Sequence, residues 1–323
     1  MRTDATLTAE EPQSTSRNFG PGYRLDAKGR QAAEDDRLSL LEQIFDPLSR
    51  RRRELVQPGW RCLEVGAGRG SMAVWLAKQV GESGHVVATD IDLTYLKRID
   101  VPNLEVQRHN ILDDSLDALG LSSFDLVCSR LVLFWLAGKQ ERAIQRMVEC
   151  LRPGGWLLDE DGDWGTIAPV DPSHPFSARY HGAWRAGEWW TERGYDPTFG
   201  RKLSVLFERC GLENIRQEVT AEVVRGSSPW ARWWQQTLEA IRGWELADQG
   251  LTEAREREYT ALIAPWADMS FWFLTPLLHA CWGQRPEHKP ASGKNFGASR
   301  LHDVATWCRV SVASRGFNNR GKL

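Results

Sequence analysis

The sequence has no long hydrophobic run: nowhere does it reach the roughly 18 consecutive apolar residues that a membrane-spanning helix needs. Residues 1–18, MRTDATLTAEEPQSTSRN, lack the apolar core of a signal peptide and read as a disordered leader. Charge of one sign is not in excess either. Lys and Arg number 41 against 43 Asp and Glu, a net of −2, so no global field favours nucleic acid or an anionic membrane. Cysteine is sparse and scattered, at 62, 128, 150, 210, 281 and 308, with no CxxC pair and no Cys/His cluster at zinc spacing. That excludes the usual structural-metal and disulfide frameworks, and no metal is expected. Together these absences predict a soluble, cytoplasmic protein with reduced thiols, whose partner is a small molecule rather than a nucleic acid or a membrane.

What is present is tryptophan, 16 of them, and enough apolar sequence, 41% of 323 residues, for one large domain with an appendage. From Glu34 to Glu54 apolar residues recur at three and four (Leu38, Leu41, Phe45, Leu48), which predicts an amphipathic helix or a helix pair broken at Pro47. The arginines 50–53 that end it read as a solvated helix terminus, where cations are stabilised. Strands and helices then alternate: strands at 61–65, 85–90, 104–108, 124–129 and 156–159, helices at 71–80, 93–99 and 139–151. This predicts a doubly wound α/β fold with a mostly parallel sheet and a ligand crevice beyond the C-terminal strand ends.

Between the first strand and its helix stands EVGAGRGS. Glycines 66, 68 and 70 permit a tight turn and let a ligand approach the backbone, which points to a nucleotide-like ligand. The dinucleotide fingerprint GxGxxG would need glycine at 71, where Ser71 stands, and this disfavours an NAD(P)-dependent oxidoreductase without removing it. Asp90 ends the second strand, where a carboxylate can accept ribose hydroxyls or cap the following turn. Asn110 and Ile111 follow the third strand, where an amide can pair with an adenine edge, an aliphatic chain can pack on the ring, or Asn110 can simply form a turn. Glu64 can face a ligand's ammonium group or accept N–H bonds from the glycine turn.

In order, CLEVGAGRG, VVATDID, RHNI, FDLVCSRLVLFWL and LRPGGWLLDED resemble the class I S-adenosylmethionine-dependent methyltransferases, and more narrowly an actinobacterial group of small-molecule, natural-product methyltransferases. The resemblance covers about residues 18–286. It implies a seven-stranded Rossmann-like sheet ending in an antiparallel hairpin, with S-adenosyl-L-methionine as cofactor. It also implies that Gly66 and Gly68 line the methionine and that Glu64 faces its amino group. By the same resemblance Asp90 takes the ribose, Ile91 flanks the adenine, Asn110 and Ile111 close the adenine site, and Arg130 lies beside the substrate mouth. Tyr23 resembles an aromatic residue that relatives fold over the cofactor. Two departures stand out: relatives usually carry Asp where Asn110 is and His where Trp135 is. The domain is expected over 19–286, with cap segments at about 164–200 and 229–265, and the tail 287–323 has no counterpart in the group.

The second half leaves the alternation and becomes tryptophan-rich, with helices predicted at 175–193, 229–247 and 252–264. They are expected to cap the strand ends; most indoles would pack, and the rest would line a cavity for a flat, largely apolar substrate. The same helices could equally form a homodimer face. The reaction implied is methyl transfer to an O, N or C nucleophile of a small aromatic molecule. Candidate proton acceptors are Glu160 first, among Asp159, Asp161 and Asp163 of DEDGDW, then His174 and His181 on the lid. A catalytically silent protein that keeps the fold as a binding module is the alternative of another class.

Overall fold

The computed structural model describes residues 31–177 and 195–287. The predicted leader, Tyr23, His181 and residues 288–323 of the tail lie outside the described residues. Seven strands form one sheet: β1 (Arg61–Val65), β2 (His85–Asp90), β3 (Leu104–Arg108), β4 (Phe124–Arg130), β5 (Leu151–Asp163), β7 (Glu213–Thr220) and β10 (Leu277–Gln284). Their order is β3-β2-β1-β4-β5-β10-β7; the first five are parallel, and β10 runs antiparallel to both neighbours. Both faces are covered, so successive residues on the central strands are buried alternately on opposite sides. Cys62, Val86, Leu126 and Leu158 meet α2 (Ser71–Val80), whereas Leu63, Val87, Val127 and Leu157 join the larger core that includes α3 (Gln140–Cys150). Among the described residues no helix is long and apolar enough to cross a membrane.

Three departures from the expected elements affect the site. The segment 93–99 yields only a single 3₁₀ turn at Leu96–Arg98. Helix α1 (Gln31–Arg52) is continuous through Pro47. Strand β5 runs to Asp163 rather than stopping at Asp159, because β10 pairs with it out to the Leu277–Asp163 pair. The acidic run 159–163 is therefore buried strand, not an exposed turn.

The cap consists of α5 (Pro229–Gln249), α6 (Glu253–Ile263) and a small sheet of β6 (Ala168–Pro169), β9 (Trp272–Leu274) and β8 (Val223–Arg225). Ser228 caps α5, its side chain accepting from the Ala231 N–H with Pro229 next to it, and Thr252 caps α6 in the same way. Helix α5 lies along α1, with Trp233 edge-on to Phe45 at 5.2 Å. A further helix, α4 (Leu203–Arg209), precedes β7.

The arginines that end α1 overturn the reading of a solvated terminus. Arg50 and Arg51 are exposed, but Arg52 and Arg53 are buried and share one carboxylate, that of Glu160 on β5. Arg52 reaches Glu160 Oε1 at 2.9 Å, Arg53 pairs with Oε2, and Ser49 Oγ donates to Oε1 at 3.1 Å. Burial alone would raise the Glu160 pKa, but the guanidinium groups of Arg53, Arg52 and Arg130 outweigh it and hold the carboxyl at about 2. Glu160 is thus withdrawn as a proton acceptor: an anion held between two buried cations has little basicity to offer at neutral pH. Its work is to fasten α1 across the sheet.

Removing one partner of such a cluster leaves buried charge uncompensated, so Glu160→Ala should lose about 3–5 kcal/mol of stability by urea titration. Because the folded pKa, about 2, lies below the ordinary 4.5, this contribution is complete above about pH 4.5 and fades as pH falls toward 2; the variant should lose that part of the acid dependence. The glycine turn supplies a second test. Gly66 and Gly68 have φ of +71° and +58°, but a Cβ on Gly66 would come within 2.3 Å of Val132 Cγ2 while one on Gly68 meets nothing within 4 Å. Gly68→Ala should cost about 1–2 kcal/mol from the left-handed backbone alone, and Gly66→Ala distinctly more.

Candidate active site

Strand order reverses between β1 and β4, and the crevice opens there, as doubly wound sheets require. Its empty space, mouth included, is about 1380 Å³. The structure brings Glu64, Gly66, Gly68, Asp90, Ile91, Asn110, Ile111 and Arg130 to its wall. It also brings residues that the sequence did not single out: Arg37, Leu38, Leu41 and Glu42 of α1, His109, Val132 and Phe134. The α1 residues line the crevice because long-range contacts with no signature in local sequence, Glu160 at the far end of the helix among them, hold it there.

Helix α1 is also tied to the glycine turn and to β4. Arg69 donates to the Asp35 carbonyl at 2.8 Å, and Ser71 Oγ to Asp46 Oδ1 at 3.1 Å. Arg130 donates to the same Asp46 oxygen at 2.9 Å and to Ser49 Oγ at 3.1 Å. A carboxylate on α1 thereby gathers groups from two loops at the mouth.

Glu64 differs from Glu160. Its side chain is buried, 4% exposed, and Oε2 has no hydrogen-bond partner. Burial dominates over the opposing Arg53 and Arg130 charges and pushes its pKa up to about 7. The glycine turn does not satisfy it: the Gly66 and Ala67 N–H groups go to the Thr89 carbonyl, and the Gly68 N–H goes to Asp90 Oδ2 at 2.9 Å. Asp90 therefore braces the turn from β2, and its other oxygen accepts the Asp92 N–H at 3.1 Å. Asn110 holds its own loop, with Oδ1 accepting from the Leu112 N–H at 3.0 Å and Nδ2 donating to Asp113 at 3.0 Å.

The other candidate bases are also accounted for. Asp159 accepts the Ser129 hydroxyl, Asp161 accepts the Phe134 and Gly162 N–H groups at 2.9 and 2.8 Å, and Asp163 pairs with Arg201. Burial raises the pKa of both Asp159 and Asp161, so the acidic run serves the interior. His174 lies away from the crevice, Nε2 against Ser270 Oγ at 3.1 Å and Nδ1 accepting the Phe176 N–H at 3.3 Å. His279 faces Gln217 across the β10–β7 pair, and its pKa is lowered to about 4 by burial.

The far half of the crevice is aromatic: Phe134, Trp135, Trp164, Trp233 and Trp234. Trp164 stacks on Trp234 with centroids 5.0 Å apart and planes 3° from parallel, and Trp233 lies tilted beside both at 6.1 and 5.8 Å. Trp135 stands edge-on to Phe134 at 5.3 Å and lines the wall. Among the described residues no cluster of His, Cys, Asp and Glu could hold a metal ion.

Known proteins share this arrangement in sequence. Residues 63–159, from β1 into β5, match the family model of the methyltransferase domain. Methyltransferase str2 of Strobilurus tenacellus is 34% identical over 111 residues, 34% of this chain and 38% of that protein; methyltransferase str3 of the same fungus is 32% identical over 157 residues, 48% and 53%. The ubiquinone/menaquinone biosynthesis C-methyltransferase UbiE of Laribacter hongkongensis is 32% identical over 136 residues, 38% and 52%. Among solved structures, YcgJ of Bacillus subtilis aligns with TM-score 0.47 at 12% identity over 75% of this chain and 98% of that one. The chain spans between about two fifths and about half of the length of the curated relatives it matches. Residues 63–159, which run from β1 into β5 and frame the crevice, are the part of the chain that matches the methyltransferase-domain model.

Proposed function

We propose that the protein is an S-adenosylmethionine-dependent methyltransferase acting on a small, flat, largely apolar molecule. The observation that carries this reading is Glu64: a buried carboxylate with an unpartnered oxygen, at the crevice wall beside a turn of positive-φ glycines. Such an oxygen suits a ligand that brings its own cation, here the ammonium of the methionine part. The open space over Gly68 leaves room for the chain to pass, and Ile91 and Ile111 flank the adenine end. Asp90, braced by the Gly68 and Asp92 N–H groups, keeps acceptor capacity for ribose hydroxyls.

When bound, S-adenosylmethionine supplies a methyl group on a sulfonium, already activated for in-line displacement by a nucleophile. The chain's own residues then position and shield. The glycine turn would hold the methionine part and Asp90 the ribose, the α1 residues Leu38 and Leu41 with the indoles would exclude water, and the aromatic wall would orient the acceptor. Aromatic faces favour the cationic methyl group. With Glu160 committed to two arginines, proton removal falls to the acceptor's own acidity or to solvent at the mouth. The narrower reading, a natural-product methyltransferase, rests on the sequence resemblance and on the aromatic half of the crevice.

Thermal unfolding with S-adenosylhomocysteine, S-adenosylmethionine and NAD(P) in parallel tests the cofactor. At 100 times its dissociation constant a native-state ligand adds about 2.7 kcal/mol. The sulfur ligands should raise the transition, NAD(P) should not, and Asp90→Ala should abolish most of the shift; a shift with NAD(P) alone would sink the proposal. Glu64 adds a pH signature. With a folded pKa of about 7 against the ordinary 4.5, its ionisation in the free protein costs stability as pH rises through 7, and a cationic ligand must draw the proton off below that value. Affinity for S-adenosylhomocysteine should therefore weaken about tenfold from about pH 8 to about pH 6, and Glu64→Gln should flatten that dependence.

A further inference from the structure

Asp161 is buried on β5, and each of its two carboxylate oxygens accepts one backbone N–H. Oδ2 accepts from Phe134 at 2.9 Å and Oδ1 from Gly162 at 2.8 Å. Phe134 belongs to the 3₁₀ turn Leu133–Leu136, which carries Phe134 and Trp135 to the aromatic wall. Leu131 and Ala137 flank that turn with φ of +56° and +29°, a backbone region disfavoured outside glycine that persists only where its surroundings hold it. The Leu131 N–H donates to the Glu160 carbonyl at 2.8 Å, which fixes the start of the loop but not the turn. Gly162 is the floor under the Trp164 ring: a Cβ there would lie 2.7 Å from Trp164 Cε2. Trp164 in turn stacks on Trp234. One carboxylate thus holds the backbone beneath Phe134, Trp135 and Trp164 and, through Trp164, bears on Trp234, which makes four of the five rings of the wall. Leu131 and Asp161 also line a second hollow with about 230 Å³ of empty space, so the turn has room to settle differently once that carboxylate is gone.

We infer that Asp161 is a positioning residue for the acceptor side of the crevice: it sets the wall against which a flat aromatic acceptor lies. Asp161 itself stands behind that wall, outside the crevice lining. The glycine half is built separately, with the Gly66 and Ala67 N–H groups on the Thr89 carbonyl and the Gly68 N–H on Asp90. Losing Asp161 therefore separates the affinities of the two halves for their ligands. Both groups that Asp161 serves are N–H donors, so the position needs two acceptor oxygens. An asparagine offers one oxygen and turns its own NH₂ toward the other donor. The inference rests on the proposed function for the statement that the aromatic half receives the acceptor.

Calorimetric titration of the full chain with S-adenosylhomocysteine and with 2-naphthol as a flat probe reads that separation in the wild type, Asp161→Asn, Asp161→Ala and Asp159→Asn. Asp159 is an equally buried neighbour on β5 that serves the Ser129 hydroxyl instead of the wall, so its substitution controls for the loss of a buried carboxylate. Asp161→Asn should bind 2-naphthol roughly 2- to 12-fold more weakly, the worth of one hydrogen bond, and Asp161→Ala more weakly still. Both should keep their affinity for S-adenosylhomocysteine, and Asp159→Asn should keep both affinities. Unchanged 2-naphthol affinity in the Asp161 variants, an equal loss in Asp159→Asn, or a parallel loss of S-adenosylhomocysteine affinity in Asp161→Asn would each overturn the inference. Asn is close to Asp in size, so that variant decides where Asp161→Ala does not fold. A wild type that binds S-adenosylhomocysteine but not 2-naphthol unseats the acceptor reading of the wall, and the inference with it. Binding of both ligands with no separation in the variants unseats the role of Asp161 alone. Binding of 2-naphthol without S-adenosylhomocysteine unseats the cofactor reading and leaves the graded loss from Asp to Asn to Ala as the test.

Discussion

Two guanidinium groups, those of Arg52 and Arg53, share the carboxylate of Glu160 in the interior, and the crevice depends on that arrangement. Taking three charges out of water is costly, and their attraction offsets the cost only where geometry is good and further hydrogen bonds complete it. Ser49 Oγ and the Trp282 indole, which donates to the Arg52 carbonyl at 3.2 Å, provide some of these. Once the C-terminal end of α1 is fixed to β5, its preceding turns can only lie across the C-terminal ends of the strands. Asp46 then meets Arg130 and Ser71, Leu38 and Leu41 roof the crevice, and Phe45 receives Trp233 from α5. The aromatic wall is thus held at second hand by an ion pair on the far side of the helix.

Against that background Glu64 and Glu160 make an instructive pair. Both are fully enclosed carboxylates near the same arginines, yet one is held at about 2 and the other raised to about 7. Distance decides the difference: Glu160 has direct contact with its cations, and Glu64 feels them only at range, so desolvation wins. A protein that places an unpaired carboxylate beside a ligand crevice gives up apo stability for a site that a cation completes. The four acids of β5 each find a hydroxyl, backbone or arginine partner, although one oxygen each of Asp159 and Asp163 is left without one, and burial raises Asp159 and Asp161 as it raises Glu64.

The parallel sheet was legible because each strand is a short apolar run bounded by a helix or turn, and β1, β2 and β3 fall on the expected residues. Positive φ at Gly66, Gly68 and Gly70 was legible as well, since a strand-to-helix turn with alternate glycines has few other uses. Tertiary partners were not. Asp159 to Asp163 look like a solvated turn in isolation, and only pairing with β10 some 120 residues later makes them strand. The run Arg50–Arg53 divides between solvent and core because the helix stops at Arg52 and the chain turns at Arg53, so that Arg50 and Arg51 stay exposed while Arg52 and Arg53 both reach Glu160. Asn110 could be read as adenine contact or turn former; in the ligand-free fold its amide is engaged in the turn, while it still reaches the crevice wall.

The crevice itself divides the chemical work. Its glycine half carries the buried carboxylate of Glu64, and its aromatic half the rings of Phe134, Trp135, Trp164, Trp233 and Trp234. On the proposed reading a cation-bearing ligand would occupy the glycine half and a flat acceptor the aromatic half. Displacement from a sulfonium asks little more of a protein than that alignment and a dry path between the two, because the leaving group is activated by its own charge. Trp135 extends the aromatic side of that path.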